Sequence, residues 1–223
     1  LFVFVSGYAF AHVGAHPSVH DTVAGIVERM QREMPEDKLT DVSVEDVLEF
    51  MTEEEREILA SEHLLFTVNV PVVITVFRHT RSREQVYWLE ERGFEKAKET
   101  VRSENDRYEA WEKRFDEGEI GLGVNSLSGS GDHYFVGIKP RKKRHEVEVT
   151  DIYPGQHTLG VLREGERPYI GWDDRVLTEV PEEFEGQILL RGDQDKRRTA
   201  KLTDIFRLTE YPATLAPDQI VLT

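Results

Sequence analysis

Three of the eight histidines fall in one stretch, His12-Val13-Gly14-Ala15-His16-Pro17-Ser18-Val19-His20-Asp21, and a carboxylate closes it. Imidazoles bind zinc, copper and nickel without help from thiolates, and short histidine clusters recur as metal sites. Gly14 and Pro17 interrupt any continuous helix that would stack His12, His16 and His20 on one face, so the site calls for an irregular loop. Cleavage after Ala11 would free the amine of His12 to chelate together with its own ring nitrogen, an arrangement that suits copper. The expected metal set is His12, His16, His20 and Asp21, with His133 as a distant fifth ligand and copper or zinc as the cofactor. The plainer alternative is a terminus whose histidines meet solvent and cap the first helix. With no cysteine in the chain, thiolate metal sites, iron–sulfur clusters, thiol nucleophiles and disulfides are all excluded.

Other patterns are weaker. Ser126 to Asp132 offers serines among glycines beside His133, but no Gly-x-Ser-x-Gly stretch lies between a strand and a helix, as a nucleophile elbow needs. Gly129-Ser130-Gly131 reads as a turn between strands. Gly121-x-Gly123 lacks the glycine, lysine and helix of a phosphate-cradling loop and reads as a bulge. With 43 acidic residues, any chosen pair of carboxylates carries little information. Asp173-Asp174 beside Trp172 could take Ca²⁺ or a sugar, though a turn is the simpler reading. Trp88, Trp111 and Trp172 are expected in the core or at its edge rather than on a carbohydrate platform. The single dense basic run, Arg141-Lys142-Lys143-Arg144, is expected to be a solvated hairpin loop, and the net charge of −15 tells against a nucleic-acid partner.

The elements that hold these residues follow from periodicity. Val23, Ile26, Val27, Met30 and Met34 share one helical face, with Ser18 or Asp21 as N-cap and Pro35 as the stop. Ser43 with Asp46 opens a second short helix carrying Val44, Val47, Leu48 and Met51. Thr52 with Glu55 is the capping box of a third, carrying Ile58 and Leu59. From Phe66 to Val76 every even position is apolar, which predicts one long strand, bent or at a sheet edge where Pro71 falls. Shorter period-two runs follow at Ile120, Leu122 and Val124; Tyr134, Val136 and Ile138; Val147 and Val149; Ile188 and Leu190; Phe206 and Leu208; and Ile220 and Leu222. Residues 108–115 fit either a helix, through Tyr108, Trp111 and Phe115, or a strand, through Trp111, Lys113 and Phe115.

Residues 1–11 form an apolar run ending Ala9-Phe10-Ala11, the small-residue pattern that signal peptidase accepts. It is too short to span a membrane. It is read as the tail of a secretory signal, which makes the protein secreted or periplasmic.

The stretch Ala213-Thr214-Leu215-Ala216-Pro217-Asp218-Gln219-Ile220-Val221-Leu222-Thr223 resembles the linker and first strand that lead into the fibronectin-like domain of purple-acid-phosphatase-like metallophosphoesterases. The secretory start, the His12 to Asp21 stretch, Gly121-Leu122-Gly123-Val124-Asn125-Ser126-Leu127 and Tyr153-Pro154-Gly155-Gln156 are similar to the region preceding that domain in exported bacterial members. The two-metal signature of the family, Asp-x-His, Gly-Asn-His-Asp/Glu and Gly-His-x-His, occurs nowhere in the chain, so no catalytic residue carries over.

The resemblance implies a non-catalytic N-terminal part whose partner is a downstream catalytic domain of the same polypeptide. The expected fold is α+β: short N-terminal helices in residues 12–62, packed on an antiparallel β-sandwich, fibronectin-like or jelly-roll-like, in residues 63–212. Residues 213–223 supply a linker and the first strand of the next domain. Two other classes remain open: a periplasmic metal-binding protein built on the histidine cluster, and a carbohydrate- or surface-binding sandwich.

Overall fold

Three of the helices open on capping boxes. The computed structural model describes residues 18–39, 41–82, 86–127, 133–171 and 174–192, with the backbone alone of 198–200 and 220–222. Helix α1 (Val19–Glu33) is capped by Ser18, whose hydroxyl accepts from the Asp21 amide while the Asp21 carboxylate accepts in return. After the one-turn α2 (Glu36–Leu39), Ser43 and Asp46 open α3 (Val44–Phe50), and Thr52 and Glu55 open α4 (Glu53–Ser61). Each box satisfies backbone donors that a helix start leaves without partners. Val23, Ile26, Val27 and Met30 are buried with Val47, Met51 and Leu59, forming a small helical core closed by Val124 and Leu127. The Arg29 guanidinium ties α1 to α4 through two 2.6 Å bonds to the Glu55 carboxylate, and also donates to the Phe50 carbonyl.

The remaining elements are β1 (Leu64–Val68), β2 (Val72–His79), α5 (Tyr87–Glu91), β3 (Glu95–Ser103), β4 (Arg107–Phe115), β5 (Gly118–Leu122), β6 (Phe135–Pro140), β7 (Val149–Tyr153), β8 (Thr158–Val161), β9 (Leu177–Glu179), β10 (Ile188–Arg191), β11 (Arg198–Ala200) and β12 (Ile220–Leu222). One sheet has the order β8-β10-β6-β2-β4-β3-β9 and a second the order β5-β1-β7, both antiparallel throughout. Strands β11 and β12 pair in parallel. The expected α+β sandwich is the observed architecture.

The apolar run 66–76 is not one strand but two, and they belong to different sheets. Pro71 has no amide hydrogen to give to a ladder, and at Asn69-Val70-Pro71 the chain leaves the small sheet for the large one. The alternation persists across the break because Phe66 and Val68 on one side, and Val72, Ile74 and Val76 on the other, enter the same core. That core lies between the sheets and takes in Trp88, Trp111, Ile120, Leu122, Val136 and Leu190. The ambiguous 108–115 segment is strand β4, paired with β2 along its whole length. Its odd residues, Trp111 among them, face the inter-sheet core. Tyr108 and Ala110 face outward into a third cluster with Phe77, Phe135, Tyr169, Phe184 and Leu189.

Gly121 and Gly123 do not mark a bulge. The β1–β5 register runs unbroken from Leu64 opposite Leu122 to Val68 opposite Gly118. What Gly121 permits is close approach: a Cβ there would come 1.9 Å from the Ser61 carbonyl oxygen, and one at Gly123 would come 2.7 Å from Cα of Ala60. The backbone of β5 therefore rests directly on the C-terminal turn of α4. Around this junction the Arg92 guanidinium donates to the carbonyls of Ala60 and Gly121, the Trp88 indole to that of Val124, and the Tyr134 hydroxyl to that of Gly123.

Candidate functional site

His12 and His16 lie outside the described residues, and of His20 the structure describes only the backbone, in the first turn of α1. The Asp21 carboxylate is engaged in the capping box, accepting from the Ser18 hydroxyl at 2.8 Å. His133 precedes β6, and its carbonyl accepts a hydrogen bond from the Tyr169 hydroxyl. Among the described residues no group of three or more His, Asp or Glu side chains is placed to hold a metal ion, so Asp21 and His133 are not joined in such a group. Trp172 and Asp173 also lie outside, as does the 128–132 loop. Asp174 is exposed and pairs with Arg167 at 2.8 Å. Trp88 is fully buried and Trp111 nearly so, each packed in the inter-sheet core.

Two polar centres, neither marked by a sequence motif, occupy opposite ends of the β2–β4 ladder. The first is built where β2 ends at His79 and the β3–β4 hairpin turns at Asp106. His79 Nε2 lies 2.9 Å from Asp106 Oδ1, and Arg175 Nη1 lies 2.9 Å from Oδ2, with the His79 and Asp106 side chains both more than nine-tenths buried. Burial opposes the Asp106 charge, but the hydrogen bonds from His79 and Arg175 outweigh it and hold the carboxyl below its ordinary value. An Asp–His pair of this kind forms the base and its orienting partner in hydrolytic triads. Here the Arg81 amide donates to His79 Nδ1 at 3.0 Å, which fixes the tautomer with hydrogen on Nε2. Both ring nitrogens are thus occupied, and neither is free to take a proton from a substrate. On the inner face of the same strand ends, Glu109 gathers Arg78, Lys96 and the Trp111 indole.

The second centre lies at the other end of the ladder, on the sheet face turned away from β1. Along that face the residues change from apolar to cationic: Phe77, Ala110 and Phe135 first, then Thr75, Glu112 and Gly137, then Val73 flanked by Arg114 and Lys139. The middle row is a closed network. Lys139 Nζ reaches Glu112 at 2.8 Å, the Thr75 hydroxyl reaches Glu112 at 3.2 Å, and Gln187 packs so closely that a Cβ on Gly137 would lie 2.3 Å from its Oε1. Beyond β6 the basic run 141–144 is an exposed turn; it is solvated as expected, but it joins strands of different sheets, β6 and β7, and is not a hairpin loop. The Arg141 amide bonds to the Pro71 carbonyl at 3.0 Å, which folds this turn over the start of β2.

The result is a cavity of about 480 Å³ lined by Pro71, Val73, Arg114, Arg141, Lys142 and His145. Among the described residues its wall carries no carboxylate. Arg141 extends to the exposed Asp116 at 3.0 Å, whereas Arg114 and Lys142 have no ion-pair partner among the described residues. His145 Nδ1 is buried without a hydrogen-bond partner. A wider cleft of about 1200 Å³ shares Val73 and Arg141 with it, but there Lys139 and Lys143 are matched by Glu146, Glu182 and Glu183.

No family model, no curated protein and no solved structure matches the chain. Among the described residues no helix is long and apolar enough to cross a membrane.

Two further histidines approach one another. His63, between α4 and β1, is held down to about 4 by burial and by the neighbouring His157. His157 is lowered by burial, against the opposing bond to the Pro154 carbonyl at 2.9 Å. The sequence did not single out either of them, because only folding brings residues so far apart in the chain together.

Proposed function

We propose that this chain is the non-catalytic N-terminal accessory part of an exported metallophosphoesterase of the purple-acid-phosphatase-like kind, and that it positions and stabilises a catalytic domain of the same polypeptide. The observation that carries this reading is the His79–Asp106–Arg175 centre. It has the residue types of a catalytic apparatus, yet His79 and Arg175 are both bonded to Asp106 and the second His79 ring nitrogen is bonded to the Arg81 amide. The capping boxes and the Glu112 network use their polar groups in the same way. Further support comes from β12, since Ile220–Leu222 forms a strand within the 213–223 stretch that carries the family resemblance. The test is an assay of the purified chain on p-nitrophenyl phosphate with Mn²⁺, Zn²⁺ or Fe³⁺ added. Turnover no faster than the protein-free blank is expected, and saturable, metal-dependent hydrolysis would overturn the reading.

A further inference from the structure

We propose that the cavity bounded by Arg114, Arg141, Lys142 and His145 is a binding site for a phosphate group, carried by a small phosphate ester or by a lipid headgroup. The inference stands on this cavity alone and does not depend on the domain's membership in a larger enzyme. In a protein of net charge −15, a wall of three cations and an imidazole is a local inversion of the field. These exposed cations are solvated, and an anion bound between them lowers their mutual repulsion. The exposed Asp116 answers one cation in part, because ion pairs in water are weak and are screened by salt. Arg114 and Lys142 are left to a ligand.

The chemistry selects that ligand. Arg114 and Arg141 each offer a planar fork of donors that matches two oxygens of a tetrahedral anion, and Lys142 adds a point charge. A monocarboxylate carries one charge and two oxygens, too few to meet three cations, whereas a phosphate monoester carries close to two charges and three free oxygens. His145 contributes an imidazole to the wall beside these cations. The floor of Pro71 and Val73 is apolar and suits the carbon skeleton bearing the phosphate. A volume of about 480 Å³ falls within the ordinary range for small-ligand pockets. The geometry of the backbone keeps the site open: the Arg141 amide bond to Pro71 and the direct pairing of Arg114 with Val73 fix the bases of both arginines.

The experiment titrates the full chain with inorganic phosphate at constant ionic strength, with chloride as the balancing anion, and follows binding by calorimetry or amide chemical shifts. Saturable binding is expected, weakened about tenfold or more by Arg114→Gln or Lys142→Gln. Arg144→Gln, which removes an equally exposed cation from the same turn but from neither cavity, is expected to change affinity less than twofold. All three side chains are exposed, and matching melting temperatures verify that the variants fold. A parallel arm uses phosphatidylcholine vesicles with and without phosphatidic acid. Acid-dependent co-flotation that is lost in Lys142→Gln assigns the phosphate to a lipid headgroup. Binding of free phosphate without flotation assigns it to a soluble ester. Absence of saturable phosphate binding, or equal weakening in Arg144→Gln, would overturn the proposal.

Discussion

Asp106 shows how much of the polar chemistry here serves the fold. Its two carboxylate oxygens are divided between His79 and Arg175, and its charge is favoured by those bonds despite burial. A carboxyl whose pKa is depressed in the folded state adds stability that is present in full above the unfolded value, near 3.8, and is lost as pH falls through the lower folded value. Asp106→Asn keeps the shape but removes the negative charge that faces Arg175. A loss of about 3 kcal/mol at neutral pH is expected, because one partner of a buried pair has been removed. For a chain of this size that corresponds to a melting temperature lower by roughly 6–12 °C. Melting curves recorded from about pH 2.5 to 7 should also show a shallower acid limb in the variant than in the wild type. An unchanged melting temperature at neutral pH would show that the cluster does not hold the fold. None of this was legible in the sequence, since His79 and Asp106 meet only because the β2–β4 register and the β3–β4 turn place them together. The Ser43–Asp46 and Thr52–Glu55 pairs were legible as helix starts, because a capping box is completed within four residues, whereas Asp21, open as an alternative N-cap, completes the box of Ser18 instead.

At the scale of elements, the same contrast between local and distant causes decides what could be read. The helical faces of α1 and α4 and the alternation of β1, β5 and β6 follow from nearest neighbours along the chain. The division of the 66–76 run was hidden because both strands feed one core, so burial imposed a single period on two sheets. Gly121 and Gly123 do not mark a bulge for a related reason: what they permit is contact with α4, some sixty residues earlier. Two glycine substitutions test that account with opposite signs. Gly121→Ala drives a methyl against the Ser61 carbonyl, a backbone atom that cannot swing away, and should cost about 3 kcal/mol or more. Gly25→Ala, in the exposed middle of α1 with nothing within 4 Å, should instead stabilise the chain by about 0.5–1 kcal/mol through helix propensity. Chemical denaturation of both variants measures the difference, and a Gly121→Ala protein as stable as wild type would refute the close packing of β5 on α4.

Over the whole molecule, composition and periodicity were enough for the α+β sandwich, because the apolar residues must pair two sheets and cover one end with helices. Composition also hid something: a net charge of −15 averages over the surface and conceals the cationic end of the β2–β4 ladder, where residues from these two strands and the 141–145 segment converge. The histidine stretch that first drew attention to metal chemistry contributes Asp21 to a helix cap, while His12 and His16 lie outside the described residues. The proposed role, to support a phosphate-ester hydrolase rather than to be one, rests on polar centres consumed by the fold and on the 213–223 resemblance. Its most direct test is the sequence of the natural reading frame around Thr223. The expected result is continuation of the frame into Asp-x-His, then Gly-Asn-His-Asp/Glu and Gly-His-x-His, the ligand set of a two-metal phosphoesterase. A stop codon directly after Thr223, or a following domain without these motifs, would contradict the proposed role.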